Sequence, residues 1–507
     1  MADSTQDNLQ NQFYVLVTGA NSGVGFDICK RLITDFPLTH PPSHTLTIIF
    51  TTRSTKKATD TLRRLQAHLP PSTSSPSTPK ITLHPETVDL SNLLSVRALS
   101  RRLTTTLPHL DNIILNAGVG GWTGINWPSA IFGVLTDLVH QVTWFSHKIA
   151  PAGMVTAPQT SSATPEPRLG AIFCANVFGH YMLSHNLMPL LHRSKQPGRV
   201  IWMSSLEATT QHFNVDDIQG LRTTVSYESS KTLTDILALT ADLPSTKPWV
   251  DSFYSVGEAE DKDKDQDGAM KLRTYLAHPG ICGTGILPLA LPLFWAMIAA
   301  FWMARMLGSP WHTLSTYGGA SAPVWLAVSG QKELDEAEEK YRAHGGGSVK
   351  WGSSCDRMGR DRAVSTEVDG WGHGGVVGEM VVEEDRVRRR KRGMKDLTAE
   401  EKQEFEELGR KCWRQMEELR VQWEEILERE EKETVKNTLL PSRPLACGHG
   451  RAQDESKDGC EKGDVQRETA TYPSTARDRV QNPGGFSAQS KKGRLTPVFM
   501  LLRGFEV

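Results

Sequence analysis

The sequence predicts an α/β fold in which a doubly wound parallel sheet is covered by helices on both faces. Over residues 1–285 short β-rich runs alternate with helical stretches, which is the pattern of strands joined by crossover helices. Several of these runs are apolar without alternation, as expected of strands that are buried on both faces. The predicted strands are, in chain order, 13–19, 45–52, 81–89, 111–118, 198–205 and 272–280.

The first predicted strand runs into the glycine-rich stretch VTGANSGVG, and a predicted helix begins directly after it. In such a turn Gly19 permits a tight bend, Gly23 lets the backbone approach a pyrophosphate, and Gly25 allows close packing of helix on strand. The free N–H groups of the helix would face the phosphates. By itself the pattern does not separate a nucleotide-binding turn from an ordinary one. The other predicted contacts in this turn are Asn21, Ser22 and Val24.

Four further motifs stand at the ends of later predicted elements. NAG (116–118) ends the fourth strand, SS (204–205) ends the fifth, and HPGICGT follows the sixth, closing at Thr284. YESSK places Tyr227 and Lys231 four residues apart, on one face of a helix. In this order and spacing the motifs resemble the short-chain dehydrogenase/reductase family. The resemblance implies a Rossmann-type sheet and an oxidoreductase that transfers hydride from a nicotinamide.

The resemblance can be narrowed by longer segments. AIFCANVFGHYML, VSYESSKTLTDIL and ARMLGSPWHTLSTYGGASAPVW are similar to the fungal 3-keto-steroid reductases of ergosterol biosynthesis. The insertion beginning GWTGINWPSAI, the segment VKWGSSCDR and the stretch EELRVQWEEIL are also like that group. The similarity covers about residues 13–430. It implies reduction of a 3-oxo sterol to its 3β-hydroxysterol in C-4 demethylation.

The resemblance also implies a role for each catalytic candidate. Tyr227 would deliver a proton to the ketone oxygen, and Lys231 would stabilise the phenolate and hold the nicotinamide ribose. Ser205 would orient the substrate carbonyl, with Ser204 as the alternative, and Asn176 would join a proton-relay water to the lysine. A phenol is a suitable acid only if its pKa, normally about 10, is brought toward neutrality. A lysine one helical turn away favours that change.

Cofactor choice depends on the end of the second strand. An Asp or Glu there would bind the adenosine ribose hydroxyls and favour NAD, whereas this sequence has Arg53, followed by Lys56 and Lys57. Cations pair with a 2′-phosphate, so we expect NADP(H). Asp89 fits the position that contacts the adenine, and its alternative role is that of an ordinary residue near a helix N-terminus. The other predicted cofactor contacts are Asn116, Tyr227, Lys231, Ile281 and Thr284.

Residues 286–307 form the most apolar stretch of the chain, about long enough to span a bilayer as a helix. Two prolines near its start and Arg305 near its end weaken a transmembrane interpretation. The alternatives are a membrane-surface or partly inserted element and a lid over the substrate in a soluble fold. Trp295, Trp302 and Trp311 favour an interfacial position.

The character of the chain changes after residue 330. The segment that follows is rich in glycine and charge, and we interpret its basic run, 383–396, as a solvated linker in preference to a localisation signal. Residues 398–431 predict a helix that begins with a Thr398/Glu401 capping box, and its apolar stripe favours docking on the main domain over a coiled coil. The predicted divisions are a catalytic domain, 1–330, a helical extension, 331–433, and a disordered tail, 434–507.

The bulk composition excludes several classes of function. Lys and Arg total 57 against 58 Asp and Glu, and this balance gives no reason to expect nucleic acid as a partner. The 7 cysteines are scattered without a C-x-x-C pair, so we expect reduced intracellular thiols. Zinc-binding spacings are absent from the sequence, and no metal is expected. The first residues are polar, which predicts no secretory signal peptide.

The resemblance finally implies a location and a set of partners. We expect a 3-keto sterol substrate, a membrane surface and the other sterol C-4 demethylation enzymes, at the cytosolic face of the endoplasmic reticulum membrane or of lipid droplets. Two alternatives stay open: a reductase of the same fold that acts on another lipid ketone, and a scaffold that holds other sterol enzymes. The intact Tyr227/Lys231 pair argues against a scaffold alone.

Overall fold

The computed structural model describes residues 11–70, 78–160, 166–255, 272–287 and 289–439. All of them belong to one compact unit, Met1–Pro441, while a second unit, Ser442–Val507, lies outside the described residues. The predicted disordered tail therefore falls outside them from residue 440 onward.

The centre of the fold is an eight-stranded sheet with the order β10-β9-β8-β7-β4-β1-β2-β3, and β5 and β6 pair separately as a short antiparallel ribbon. The strands are β1 (Gln12–Val17), β2 (Thr45–Thr52), β3 (Lys80–Thr87), β4 (Asn112–Leu115), β5 (Gly124–Ile125), β6 (Lys148–Ile149), β7 (Arg199–Met203), β8 (Arg273–His278), β9 (Lys350–Cys355) and β10 (Asp361–Ser365). Neighbouring strands of the sheet are parallel except for the last pair, β9 and β10. The chain winds outward from β1 in both directions, so the predicted doubly wound Rossmann-type fold is confirmed.

Helices cover both faces of this sheet. They are α1 (Gly23–Thr39), α2 (Thr55–Gln66), α3 (Leu93–Thr106), α4 (Trp127–Thr136), α5 (Leu138–Thr143), α6 (Gly179–His192), α7 (Ser226–Thr240), α8 (Lys247–Tyr254), α9 (Leu291–Met306), α10 (Thr316–Gly319), α11 (Ser321–Val328), α12 (Gln331–Arg342) and α13 (Ala399–Leu439). A short helix, Ala171–Phe173, and a π-helical turn, Cys174–Phe178, lead directly into α6. Two 3-10 turns, Thr210–His212 and Val215–Asp217, lie between β7 and α7.

Alternation along each strand divides the hydrophobic core in two. On β1, Val15 and Val17 pack with α1 and α11, whereas Leu16 packs with α3, α6, α7 and α13. All three side chains are fully buried, because successive residues of a strand point to opposite faces and each face carries a helical layer. Burial on both faces is also the reason why these strands are apolar without alternation in the sequence.

All of the predicted strands are present, and β2 has the predicted bounds. The glycine-rich, charged segment after residue 330 contains two more strands, β9 and β10, that the sequence did not predict. Gly352, Ser353 and Ser354 have little intrinsic preference for a strand. Pairing with β8 overrides that preference, since it covers a sheet edge that would otherwise be open.

The basic run at 383–396 is not simply a solvated linker, so that prediction is wrong in part. Asp385–Arg389 forms a π-helical turn in which Asp385 and Arg389 are both buried. Arg389 Nε donates to Asp385 Oδ1 at 2.7 Å, and Tyr341 Oη donates to Asp385 Oδ2 at 2.8 Å. One arginine of the run therefore serves the core, while Arg388 and Arg392 remain exposed.

Helix α13 begins with the predicted capping box. The Thr398 N–H donates to Glu401 Oε2 at 2.9 Å, and the Glu401 N–H donates to Thr398 Oγ1 at 3.1 Å. Its apolar stripe packs on α7 and α8 and reaches the core through Phe405, Cys412, Met416, Trp423 and Leu427. The helix continues to Leu439, beyond the predicted end. The prediction ended too early because it followed the apolar stripe, which the polar last turns lack.

Helix α9 occupies most of the apolar segment 286–307 and is largely exposed. Among its residues, all of which the structure describes, Ala304 is the buried one. Its exposed side chains include Leu291, Leu293, Trp295, Trp302, Met303 and Met306. Within the described ranges, no helix combines the length and the apolarity that crossing a bilayer requires.

Candidate active site

The glycine turn after β1 has the geometry expected of a phosphate cradle. Gly19 and Gly23 have φ values of +70° and +59°, which only glycine adopts without strain. A Cβ on Gly25 would lie 2.3 Å from the Gly19 carbonyl oxygen, so the helix could not pack here with any other residue. A Cβ on Gly23 would instead find open space, the nearest atom in the described part of the chain outside its own neighbours being Thr284 Cγ2 at 3.9 Å.

The N-terminus of α1 faces this open space. Ser22 is the N-cap residue, and its side chain makes no capping bond with the described residues, so N–H groups of the first turn are left for another acceptor. Arg64 of α2 reaches the turn, where its Nη1 donates to the Asn21 carbonyl at 3.0 Å. Asn116 Nδ2 donates to the Thr18 carbonyl at 3.0 Å and fixes β1 against the NAG segment. These residues fit the pyrophosphate of a dinucleotide.

The region expected to hold the adenosine end lies at β2 and β3. Arg53 is exposed directly after β2, and Lys56 and Lys57 are exposed at the start of α2. Asp89 accepts hydrogen bonds from the Ser91 N–H at 3.0 Å and from the Ser91 hydroxyl at 2.6 Å. It therefore shapes the turn before α3, and the adenine contact stays a prediction.

The residues after β8 close the other side of the cradle. Gly280 has a φ of +67°, and Ile281 exchanges backbone hydrogen bonds with Trp311 and Leu314. These bonds hold the turn so that Thr284 lies opposite Gly23. Val24 is half-buried within the first turn of α1.

Helix α7 carries the predicted proton donor and its lysine. Tyr227 and Lys231 are both buried, with Lys231 Nζ 5.8 Å from the centre of the Tyr227 ring. Lys231 Nζ donates to the Met203 carbonyl at 2.8 Å, at the end of β7. The strand end and the helix therefore fix the lysine beneath the phenol.

The two adjacent serines after β7 have different partners. The Ser204 hydroxyl is buried and donates to Asp235, away from the phenol. The Ser205 hydroxyl lies near Tyr227 and acts to lower the pKa of the phenol, against the larger effect of burial. Of the two alternatives the geometry favours Ser205 as the group that meets a substrate carbonyl.

Asn176 lies in the π-helical turn before α6, a local geometry common at functional sites. Its Oδ1 accepts from the Val119 N–H at 2.8 Å, and its Nδ2 donates to Ser230 Oγ at 3.1 Å. A Cβ on Gly118 would lie 3.4 Å from Asn176 Oδ1 and 3.9 Å from Lys231 Nζ. The asparagine and the lysine therefore converge on the NAG segment, and the predicted proton-relay role of Asn176 stays a prediction.

Burial dominates the electrostatics of the pair. It raises the pKa of Tyr227 well above its usual value, and Glu207 adds to that rise. Burial also lowers the pKa of Lys231 to about 8, against the opposing effect of Asp235. In the free protein the pKa of the phenol therefore lies above its usual value, and its lowering by Lys231 stays a prediction.

Comparison with known proteins decides the family. No family model matches the chain. It is 64% identical to the 3-keto-steroid reductase erg27 of Aspergillus fumigatus over 438 residues, which cover 84% of this chain and 97% of that protein. The chain belongs to the 3-keto-steroid reductase family. The predicted resemblance to these fungal enzymes is confirmed.

More distant members of the family also match most of the chain. Identity is 36% to the 3-keto-steroid reductase of Gibberella zeae, over 82% of this chain and 95% of that protein. It is 34% to that of Schizosaccharomyces pombe, over 70% and 90%. Among solved structures, a metagenomic short-chain oxidoreductase in complex with NADP aligns at 17% identity and a TM-score of 0.33, over 64% of this chain and 93% of that chain.

In this 3-keto-steroid reductase family member, the insertion after NAG contributes side chains that sequence reasoning missed. Trp122 stacks edge-on against Tyr227 with ring centres 4.8 Å apart, and Lys148 Nζ lies 5.4 Å from the Tyr227 ring centre. Lys148 is bonded to Glu207 and Glu228. Glu228 could have been suspected from the sequence, because it directly follows Tyr227. No sequence pattern pointed to Lys148.

A second missed residue lies beneath the site. Lys350 of β9 donates to Asp235 Oδ2 at 2.5 Å and to the Ser205 carbonyl at 2.7 Å. Lys350 and Asp235 are both buried, so this pair connects the unpredicted strand to α7 and to the serine. Only the pairing of β9 with β8 brings it there.

Proposed function

We propose that this chain is an NADPH-dependent 3-keto-steroid reductase, which reduces the 3-oxo group of a 4-desmethyl sterol to a 3β-hydroxyl. The observation that carries the proposal is the contact of Tyr227 with Ser205, with Lys231 one turn along the helix, beside an open glycine cradle. Identity of 64% to a named 3-keto-steroid reductase, over nearly its full length, supports the choice of substrate.

Each residue has a defined task in the reduction. When bound, NADPH supplies a hydride to the substrate carbon. Ser205 donates a hydrogen bond to the carbonyl oxygen and orients it, and Tyr227 delivers its proton to the same oxygen. Lys231 supplies the positive charge that lowers the cost of the phenolate left behind. Asn176 holds the NAG segment and the lysine's helix together at the end of the proton path.

The preference for NADPH over NADH is assigned to Arg53, with Lys56 and Lys57 as neighbouring cations. These groups are exposed and free to approach a 2′-phosphate, and the described chain presents no carboxylate directly after β2. Arg53→Ala is expected to raise the KM for NADPH about tenfold without affecting turnover with NADH, consistent with one lost charge-assisted contact. Arg63→Ala, at an exposed arginine of the following helix α2, is the control. An equal effect of the two variants would contradict the assignment.

The reductase is assigned to a membrane surface because two apolar helices stand beside the site. On α4, Trp127, Ile131, Phe132 and Leu135 are exposed, and α9 presents the exposed residues given above. Both helices contact α5. A Cβ on Gly283 would meet Ile298 Cδ1 at 2.5 Å, so the inner face of α9 borders the turn that ends at Thr284. A sterol that leaves a bilayer beside α9 would therefore arrive next to this turn.

Exposed cations lie near the same face. Arg392 Nη1 bonds at 2.8 Å to Asp137, which caps α5, and the Arg392 side chain is 79% exposed. Anionic lipid headgroups attract such cations. We assign the reductase to the cytosolic face of the endoplasmic reticulum or of lipid droplets, beside the other C-4 demethylation enzymes. A fluorescent fusion in fungal cells should mark these membranes, and a diffuse cytosolic signal would contradict the assignment.

The activity is tested with the purified full chain in detergent. A 4-desmethyl 3-keto sterol and NADPH should give the 3β-hydroxysterol, identified by mass spectrometry, with far slower turnover on NADH. A 4,4-dimethyl 3-keto sterol is the matched control for the sterol and is expected to react poorly. Tight NADPH binding without turnover of either sterol would favour another lipid ketone as substrate. Failure to bind NADPH would contradict the assignment of the glycine cradle.

A further inference from the structure

A buried ion cluster lies against the side of Tyr227. Lys148 Nζ is 2.5 Å from Glu207 Oε2 and 2.9 Å from Glu228 Oε1. The Lys148 side chain is 5% exposed, that of Glu207 18% and that of Glu228 10%. Three charged groups in so little water interact strongly with one another and with any charge that forms beside them.

The cluster is joined to both groups that meet the substrate carbonyl. Lys148 Nζ lies 4.3 Å from the centre of the Trp122 ring, which itself packs edge-on against Tyr227. The Glu207 N–H donates to Ser205 Oγ at 3.1 Å, so the backbone of one cluster member holds the serine. Glu228 follows Tyr227 directly on α7. A shift of Lys148 would therefore disturb the phenol and the serine together.

We propose that Lys148 is a positioning residue for the reduction, which holds Glu207 and Glu228 against Tyr227 and offsets their negative charge beside the phenol. The proposal rests on the function proposed above, because it concerns the same proton donor. Nothing in the motifs of the sequence assigned a role to Lys148, which comes from the insertion ribbon β5–β6.

The charge balance around the phenol gives the lysine its importance. Delivery of the proton leaves a phenolate, and each carboxylate nearby opposes that charge. The pKa of Tyr227 is raised by burial and then by Glu207, while the pKa of Glu207 is itself raised by burial and lowered by Lys148. The titratable groups that face the phenol are Glu207 from the loop after β7, Glu228 and Lys231 from α7, Lys148 from β6, and Cys282 from the turn after β8.

Removal of Lys148 and removal of Glu207 should therefore have opposite effects on the phenol. Without the ammonium, two carboxylates face Tyr227 uncompensated, and the phenol becomes a weaker acid. Without the Glu207 charge, the ammonium is balanced by Glu228 alone, and the phenol becomes a stronger acid. A role limited to folding would not produce effects of opposite sign.

The test follows the oxidation of the 3β-hydroxysterol by NADP⁺ in the purified full chain, from pH 6 to 10. In this direction Tyr227 must be deprotonated, and the positive charge that bound NADP⁺ would supply lowers the pKa of the phenol from its raised value in the free protein. We therefore expect kcat to rise with pH through an inflection in this range. Lys148→Met should lower kcat about tenfold at neutral pH and move the inflection upward by about one pH unit, which corresponds to that tenfold change. Glu207→Gln should move the inflection to lower pH, and Lys148→Arg, which keeps the positive charge, should leave it near the wild-type pH. The double variant, Lys148→Met with Glu207→Gln, should return the inflection toward wild type.

Lys247→Met is the matched control, because Lys247 also pairs with a carboxylate, that of Asp251, but at an exposed position. Equal inflections in Lys148→Met, Glu207→Gln and wild type would overturn the proposal. If Lys148→Met does not fold, an inflection in Glu207→Gln at the wild-type pH would by itself overturn the proposal. Ultraviolet difference titration of each variant with NADP⁺ bound, against its Tyr227→Phe counterpart, reports the same shift without the sterol. A failure of the proposed function, seen as no turnover by wild type, therefore remains distinguishable.

Discussion

Helices α7 and α9 depart from the usual rule of burial in opposite directions. All 15 residues of α7 are buried, although they include Glu228, Lys231 and Asp235. Helix α9 is built almost entirely of apolar residues, and most of them are exposed, among them two tryptophans. Burying charge and exposing apolar surface both cost free energy, so each helix indicates a function that offsets this cost. The first is arranged for chemistry and the second, as we propose, for a lipid surface.

The two helices also differ in what holds them. Each of the three charges on α7 has a partner from another element. Asp235 pairs with Lys350 and Glu228 with Lys148, whereas Lys231 donates to the Met203 carbonyl. Helix α9 is fixed at its C-terminal end, where Arg305 donates to the His312 and Thr313 carbonyls. Its N-terminal turns have no comparable polar ties within the described residues. Changes on α7 should therefore alter stability and catalysis, and changes on α9 should alter membrane binding.

The strongest effect on stability is expected on α7. Asp235→Asn removes the charge that faces Lys350 and accepts from Ser204, and should lower the free energy of unfolding by about 3–5 kcal/mol, because it leaves a buried ammonium unpaired. Urea unfolding in detergent measures the change. Asp251→Asn, which breaks the exposed pair with Lys247, should cost less than about 1 kcal/mol. Similar values for the two variants would remove the distinction between the buried and the exposed pair.

Helix α9 should show the reverse pattern. Trp295→Ser with Trp302→Ser is expected to weaken binding to anionic liposomes about tenfold or more, since each indole transferred from water contributes on the order of 1–2 kcal/mol. The free energy of unfolding in detergent should change by less than about 0.5 kcal/mol per exposed site. Leu38→Ser, at an even more exposed apolar residue on α1, is the control for flotation assays. Loss of stability without loss of liposome binding would assign α9 to the core instead.

The last effect concerns the pH dependence of stability. The pKa of Lys231 is lowered to about 8 by burial, below its value of about 10.4 in an unfolded chain. The folded protein therefore binds fewer protons than the unfolded chain between these values, and the free energy of unfolding should rise with pH by at most about 1.4 kcal/mol per pH unit. Lys231→Met should lose this rise, and Lys247→Met should keep it. If the free energy of unfolding of wild type instead fell with pH across this range relative to Lys231→Met, the assigned direction of the Lys231 pKa shift would be wrong.

Much of the fold and the cofactor side of the site could be predicted from the sequence. The strands of the parallel sheet are continuous apolar runs, and the glycine turn, Tyr227 and Lys231 stand at fixed places relative to them. Local patterns suffice there because each group acts close to the strand end that precedes it. The capping box of α13 was predicted for the same reason.

The substrate side could not be predicted in the same way. Lys148 and Lys350 reach the site through the pairing of short or glycine-rich strands, and such segments carry no periodic signal. The choice between Ser204 and Ser205 needed the structure, since adjacent residues differ only in the side of the chain on which they lie. The rise in the pKa of Tyr227 could not be predicted either, because sequence spacing contains no information on the depth of burial.

The most direct test of Tyr227 as the proton donor is the turnover of Tyr227→Phe with NADPH and a 4-desmethyl 3-keto sterol. We expect kcat to fall roughly 10²–10⁴-fold, the usual contribution of a positioned general acid. The Kd for NADPH and the free energy of unfolding should stay close to wild type, because the phenyl ring fills the same space against Trp122. Turnover within about tenfold of wild type, with the 3β-hydroxysterol still formed, would show that another group delivers the proton.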